Sequence, residues 1–161
     1  MPQYCTIADL LKLESESFLA ALADDENSPP DLEAANTQAV LSEYITEASD
    51  EVYSAMAGRF TFDASLDPVD SQLAVTCKRL TKVLTLAALY KRQGHVTPQS
   101  NPFLEQARLI RKDELPAYRR GDLNAGSDPE PARTAFCTTT DRTTVAMTDA
   151  DGDTPSLMEG F

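Results

Sequence analysis

Asp149, Asp151 and Asp153 alternate in the stretch DADGDTPSLMEGF, and Glu159 follows. Alternating carboxylates beside a glycine are the ingredients of a calcium loop, which takes acids at positions 1, 3 and 5, glycine at 6 and a bidentate Glu at 12. Counted from Asp149, the three acids fit, but Gly152 falls at position 4, Thr154 at 6, Pro155 at 7 and Glu159 at 11. No helix is expected on either side. The stretch therefore supports weak incidental cation contact and not an EF-hand.

The other groups able to do chemistry are few. His95 is the single histidine, in KRQGHVTP just past an expected helix end, and reads as a solvent-facing loop residue. Cys5, Cys77 and Cys137 are odd in number and widely spaced, with no C-x-x-C pair. That pattern suits reduced cytosolic thiols acting as small hydrophobes better than a disulfide framework or a zinc site. No Ser-His-Asp or Cys-His set can be assembled from them. Neither G-x-x-x-x-G-K-[ST] nor G-x-G-x-x-G occurs, so no loop is built to cradle phosphates. Carboxylates crowd expected helix surfaces, and none are marked as a pair held apart for acid–base work. The expectation is a protein that is not an enzyme and takes no cofactor and no metal.

What remains is charge arranged for contact. Lys78, Arg79, Lys82, Arg108, Arg111, Lys112, Arg119 and Arg120 could touch nucleic-acid phosphates, but a net charge of −12 repels a polyanion from most of the surface. No helix-turn-helix spacing is evident. A better use of these bases is to pair with a neighbouring subunit's acids, as an inter-subunit face.

The elements that must position these groups are helices. Thr6-Ile-Ala-Asp9 is a capping-box-like start for a short helix through Leu10, Leu11 and Leu13. Ser15 can cap a second, carrying Phe18, Leu19 and Leu22, which ends in DDENSPPD because Pro29 and Pro30 forbid continuation. From about Leu32 to Ala57 one apolar stripe recurs at steps of three and four: Val40, Leu41, Tyr44, Ile45, Ala48, Val52, Ala55 and Met56. Glu43, Glu47, Asp50 and Glu51 lie on the other side, and Gly58 is placed to end the helix. Asp67-Pro68 reads as an N-cap followed by Pro at N1. The helix it opens runs to about Gln93, where Gly94 stops it. Its apolar face, in RLTKVLTLAALY, is broad enough to be central or to touch both the core and a second chain. Asn101-Pro102 repeats the start signal for a helix that Pro116 should kink or split, ending at Gly121.

After Leu123 the composition changes. NAGSDPEPA reads as a linker, and TAFCTTTDRTTVAMT alternates loosely enough for a short β-hairpin. The fold class expected is mainly α: a small bundle of about four to five helices over 1–123, with an extended acidic C-terminal tail over 124–161. No apolar run approaches the roughly 20 residues of a membrane span, and MPQYCTIADLL lacks the basic and apolar regions of a secretory signal.

Charge is unevenly distributed along this scaffold. Residues 1–70 hold 15 acidic and 2 basic side chains, net −13; residues 71–123 hold 10 basic and 4 acidic, net +6; residues 124–161 hold 7 acidic and 2 basic, net −5. A chain with one acidic and one basic surface can attract its own copies head to side, a heterologous contact that closes into a ring if the rotation allows. Taken singly, each charge run is also what a solvated helix face looks like.

Three stretches in order carry a family resemblance: the opening YCTIADLL; AVLSEYITEASDEVYSAMAGRF, a spacer with Asp-Pro and LAVTCKRLTKVLTLAALYKRQG; and FLEQARLIRKDELPAYRRGDL. Together they resemble the Mu-like phage head–tail connector family, the neck or adaptor proteins, over about residues 3–123. The Tyr-Cys-Thr opening and the A-G-R-F helix ending are the most distinctive parts. Pro116 departs from the smooth last helix of the pattern, and nothing from Asn124 onward matches.

The resemblance implies a helical adaptor that forms a homo-oligomeric, dodecameric ring beneath the portal protein of a tailed-phage capsid. The ring would extend the channel for genomic DNA, which passes without specific binding, and present a platform for the next neck or tail protein. The protein would be made in the host cytoplasm and reside in the virion, with no membrane partner. Acids lining the channel would let DNA slide, and the Glu43, Glu47, Asp50 and Glu51 face is the first candidate. Phe136, Val145, Met147, Leu157, Met158 and Phe161 could anchor the tail on a partner. Two rival readings stand beside it: a small acidic cytosolic regulator or DNA mimic that binds a basic protein, and an enzyme accessory subunit.

Overall fold

The computed structural model describes residues 2–24 and 29–124. They form a mainly α-helical bundle, all of it within one compact unit. The hairpin and tail expectations, and with them Phe136, Val145, Met147, Leu157, Met158 and Phe161, lie outside the described residues.

Helix α1, Ile7–Leu10, opens on Thr6 as its sequence suggests: the Thr6 N–H and hydroxyl both donate to Asp9 Oδ2, at 3.2 and 3.0 Å. Helix α2, Glu16–Ala23, follows Ser15, whose hydroxyl does not cap it and instead lies 3.5 Å from Ser17 Oγ. Helix α3, Ala35–Met56, begins a turn after the pattern predicts, at Ala34 with no side-chain cap. It ends through Ala57 in a right-handed turn, and Gly58 does not take the left-handed conformation expected of it.

Helix α4, Ser71–Arg92, corrects the Asp-Pro signal. Its N-cap is Asp70, whose Oδ1 accepts from Gln72 N–H at 2.6 Å and Leu73 N–H at 3.1 Å. Asp67 and Pro68 belong instead to a tight loop closed by an antiparallel bridge between Phe62 and Pro68. Tertiary packing decides this: Phe62 packs edge-on against Tyr53 and tilted against Tyr4, at 5.1 and 6.3 Å between ring centroids, and pairs with Pro68 across the loop. Gly94, at φ 84°, ends the helix as expected.

The third start signal is also put to other use. Asn101 is buried, its Nδ2 donating to Ala87 O at 3.1 Å and its Oδ1 accepting from Phe103 N–H, so it clamps the loop onto α4. Helix α5 starts later, Leu104–Leu109, and runs through a π segment, Ile110–Glu114, into α6, Leu115–Arg120. Pro116 has no N–H for the preceding turn, and its ring crowds the carbonyl four residues back. The rod accommodates this upstream with a wide turn, in which Leu115 N–H reaches Ile110 O.

Helix α4 is central within the single chain, as its broad apolar face allows. Leu73, Leu80 and Leu84 join Val52 and Met56 of α3, Ile110 and Tyr118 in one cluster. Leu86, Leu89 and Tyr90 turn to a second, with Leu10, Leu19, Leu22, Leu41 and Ile45. Charged side chains stand on the outer surfaces of α3, of α4 and of the α5–α6 rod.

Candidate functional site

Most of the basic candidates have partners inside their own chain. Lys78 of α4 reaches Asp9 Oδ2 at 2.7 Å, Lys12 takes Asp9 Oδ1 at 2.9 Å, and the carboxylate between them is buried. These two ammonium groups, Lys78 first, hold the Asp9 carboxyl well below the usual carboxylate range. Arg79 pairs with Glu114, and Arg111 grips Glu51 with two parallel bonds of 2.8 and 2.9 Å. The Glu partner in each case pushes the guanidinium pKa up. Arg108 meets Glu105 at 3.1 Å and Arg120 meets Asp122 at 2.8 Å, both on the surface. Lys82, half-buried, and Lys112 and Arg119, exposed, form no ion pair among the described residues.

The acidic candidates divide similarly. Glu43 and Glu47 stand exposed on α3, Asp50 is half-buried, and Glu51 is taken by Arg111. Acidic stripe and basic rod therefore meet within the chain at Glu51 and Arg111. Beside that pair lies a recess of about 310 Å³ lined by Ala55, Leu115, Pro116, Arg119 and Arg120. On the far side of Arg111 a second, of about 340 Å³, is lined by Ala88, Lys91, Val96, Leu104, Ala107 and Arg108. Neither recess is lined by a histidine, cysteine, serine or threonine. Guanidinium groups over an apolar floor suit the binding of a carboxylate-bearing, partly apolar surface.

No protein-family model and no curated protein matches this chain.

The remaining reactive candidates sit in structural surroundings. Cys5 and Cys77 are buried; burial pushes the Cys5 thiol up to about 11 and the Cys77 thiol up to about 12. His95 is half-buried instead of facing solvent, its ring edge-on to Tyr90 at 5.7 Å. Among the described residues no group of three or more His, Cys, Asp or Glu side chains could hold a metal ion, and no helix is long and apolar enough to cross a membrane.

Two features escape a reading of the sequence. Asp9 is legible as a capping acid, but not as the buried anchor of α1 on α4, because Lys78 is distant in the chain. The loop between α3 and α4 looks like a spacer, yet it is closely built: Asp63 Oδ1 accepts from Ser65 and Asp67 N–H groups, and Leu66 sits at φ 67°. Its one local cue is Asp67-Pro68, which by itself has the form of a helix start.

Proposed function

We propose that this chain is a structural head–tail connector of a tailed phage, assembling as a ring beneath the portal and offering the next neck or tail protein its platform. The resemblance of residues 3–123 to Mu-like connectors supplies the ring, its dodecameric order, the portal, the DNA channel and the virion as its place. The observation that carries the reading is charge segregation on one helical scaffold. Exposed Glu43 and Glu47 stand on α3, and exposed Lys112 and Arg119 on the rod packed beside it. Such a subunit can offer its basic rod to acids of a neighbour while the α3 acids stay free of that contact. An α3 face turned to the channel would repel DNA phosphates and keep the duplex sliding. Segment 149–161, acidic and carrying Leu157, Met158 and Phe161, would serve as an arm that docks on a partner.

Negative-stain microscopy of the full chain, alone and mixed with portal rings, tests this. Rings, or a new layer on the portal, are expected. A strict monomer that never joins the portal and instead captures a basic protein would overturn the reading in favour of the acidic regulator or DNA mimic.

A further inference from the structure

Four side chains of the α5–α6 rod join the core around α3 and α4: Ala107, Ile110, Leu115 and Tyr118. Their steps along the chain are three, five and three. Steps of three or four keep residues on one face of an α-helix, and a step of five does not. An α-helical continuation from Ile110 would turn Glu114, four residues on, toward the core and carry Leu115 away from it. Burying that carboxylate and exposing that leucine costs far more than the single helical hydrogen bond at issue. The π segment Ile110–Glu114 removes the conflict. Its wide turn sends Leu115 N–H to Ile110 O, five residues back, and Leu115 is buried where Glu114 would have been. Pro116 is accommodated in the turn that follows, but the spacing of the core residues is enough to demand the wide turn.

The same turn divides a pair of charges. Arg111 and Glu114 stand three residues apart, and opposite charges at that spacing are neighbours on an α-helix and pair with each other. A wider turn sets them further apart around the axis. Arg111 reaches Glu51 of α3, and Glu114 takes Arg79 of α4. Among the described residues these are the rod's two ion pairs to other helices, and both leave from the π segment. Lys112 and Asp113, between them, stay exposed.

We propose that Ile110–Glu114 is a register insert that works as a double clasp. Carrying one residue more than an α-helix needs, it keeps Leu115 and Tyr118 on the core and hands Arg111 and Glu114 to different helices. The rod, α3 and α4 are thereby held as one body, and the direction in which Lys112 and Arg119 leave the surface is fixed. In the connector reading the rod would meet a neighbour as a rigid surface, but the clasp belongs to the single chain and stands whether or not a ring forms.

The test uses the full chain, solved by crystallography, or by electron cryo-microscopy where it assembles. Leu115 N–H should face Ile110 O in the parent and still do so in Pro116→Ala. The triple variant Glu114→Leu, Leu115→Glu, Pro116→Ala restores a step of four from Ile110, and should turn the N–H at position 115 to Arg111 O. A Pro116→Ala rod that becomes one continuous α-helix overturns the proposal, because the proline and not the core spacing would then set the turn. A triple variant that folds and keeps the wide turn overturns it too. Should the triple variant fail to fold by circular dichroism, Pro116→Ala decides. The clasp is read by urea denaturation. Arg111→Gln should couple with Glu51→Gln, and Glu114→Gln with Arg79→Gln, each by about threefold in the folding equilibrium constant. Arg111→Gln and Glu114→Gln should simply add. Coupling between those two as strong as either clasp would mean that they pair within the rod, and would overturn the division.

Discussion

Glu51 of α3 and Arg111 of the π segment are joined by two parallel hydrogen bonds, Nε to Oε1 at 2.8 Å and Nη2 to Oε2 at 2.9 Å. The pair spans 60 residues of sequence and ties the acidic helix to the basic rod within one chain. It also assigns Glu51 and Arg111 to each other, while Glu43 and Glu47 on α3 and Lys112 and Arg119 on the rod stay exposed.

A double-mutant cycle of Glu51→Gln and Arg111→Gln should give a coupling of about 0.5–1 kcal/mol by urea denaturation at low salt, because both side chains are partly solvated. The coupling should shrink at high salt. A coupling of zero at low salt would mean that the bidentate geometry contributes nothing.

Asp9→Asn should cost about 2 kcal/mol, since it leaves Lys78 and Lys12 beside a neutral, buried amide. The pH dependence follows from the lowered folded pKa. The folded carboxyl binds its proton later than the unfolded one, so its stabilisation is complete above the ordinary Asp value near 4. It is lost as pH falls from there toward the folded value. Thermal melts between pH 6 and pH 3 should fall more steeply for the parent chain than for Asp9→Asn.

Native alkylation with iodoacetamide near neutral pH should spare Cys5 and Cys77, because both thiols are buried and titrate near 11 and 12. Peptide mass spectrometry should find them labelled only after denaturant is added. Rapid labelling of Cys77 in the folded chain would contradict its place between Met56 and Leu80 in the core.

Gly121→Ala should destabilise by about 1–2 kcal/mol. Gly121 closes α6 at φ 83°, and an added Cβ would collide with the Arg59 guanidinium, which donates to Arg120 O at 3.3 Å. Gly58→Ala, with open space around it and no left-handed backbone, should be near neutral or slightly stabilising. Equal effects at the two glycines would refute the distinction.

Cutting the chain after Leu123 should leave the α-helical circular dichroism signal of the bundle intact while weakening assembly. Among the described residues, the two core clusters draw on residues up to Tyr118. Full assembly by the shortened chain would remove any role for segment 124–161 in it.

The sequence by itself determined the helices. Apolar residues at steps of three and four mark α3 and α4 through their lengths, Gly94 and Gly121 mark two ends, and Pro116 marks the disturbed rod, because these are local properties of backbone and periodicity. Composition also set the acidic and basic halves. Tertiary structure decided how ambiguous signals were spent. Asp67-Pro68 and Asn101-Pro102 are equally good helix starts locally, but the Phe62–Tyr53 contact drew the first into a loop, and the Ala87 carbonyl drew Asn101 into the core. Which charges pair and which face outward was decided the same way. A salt bridge such as Glu51–Arg111, or a buried anchor such as Asp9–Lys78, depends on two distant segments arriving at one place, and no local spacing encodes that meeting.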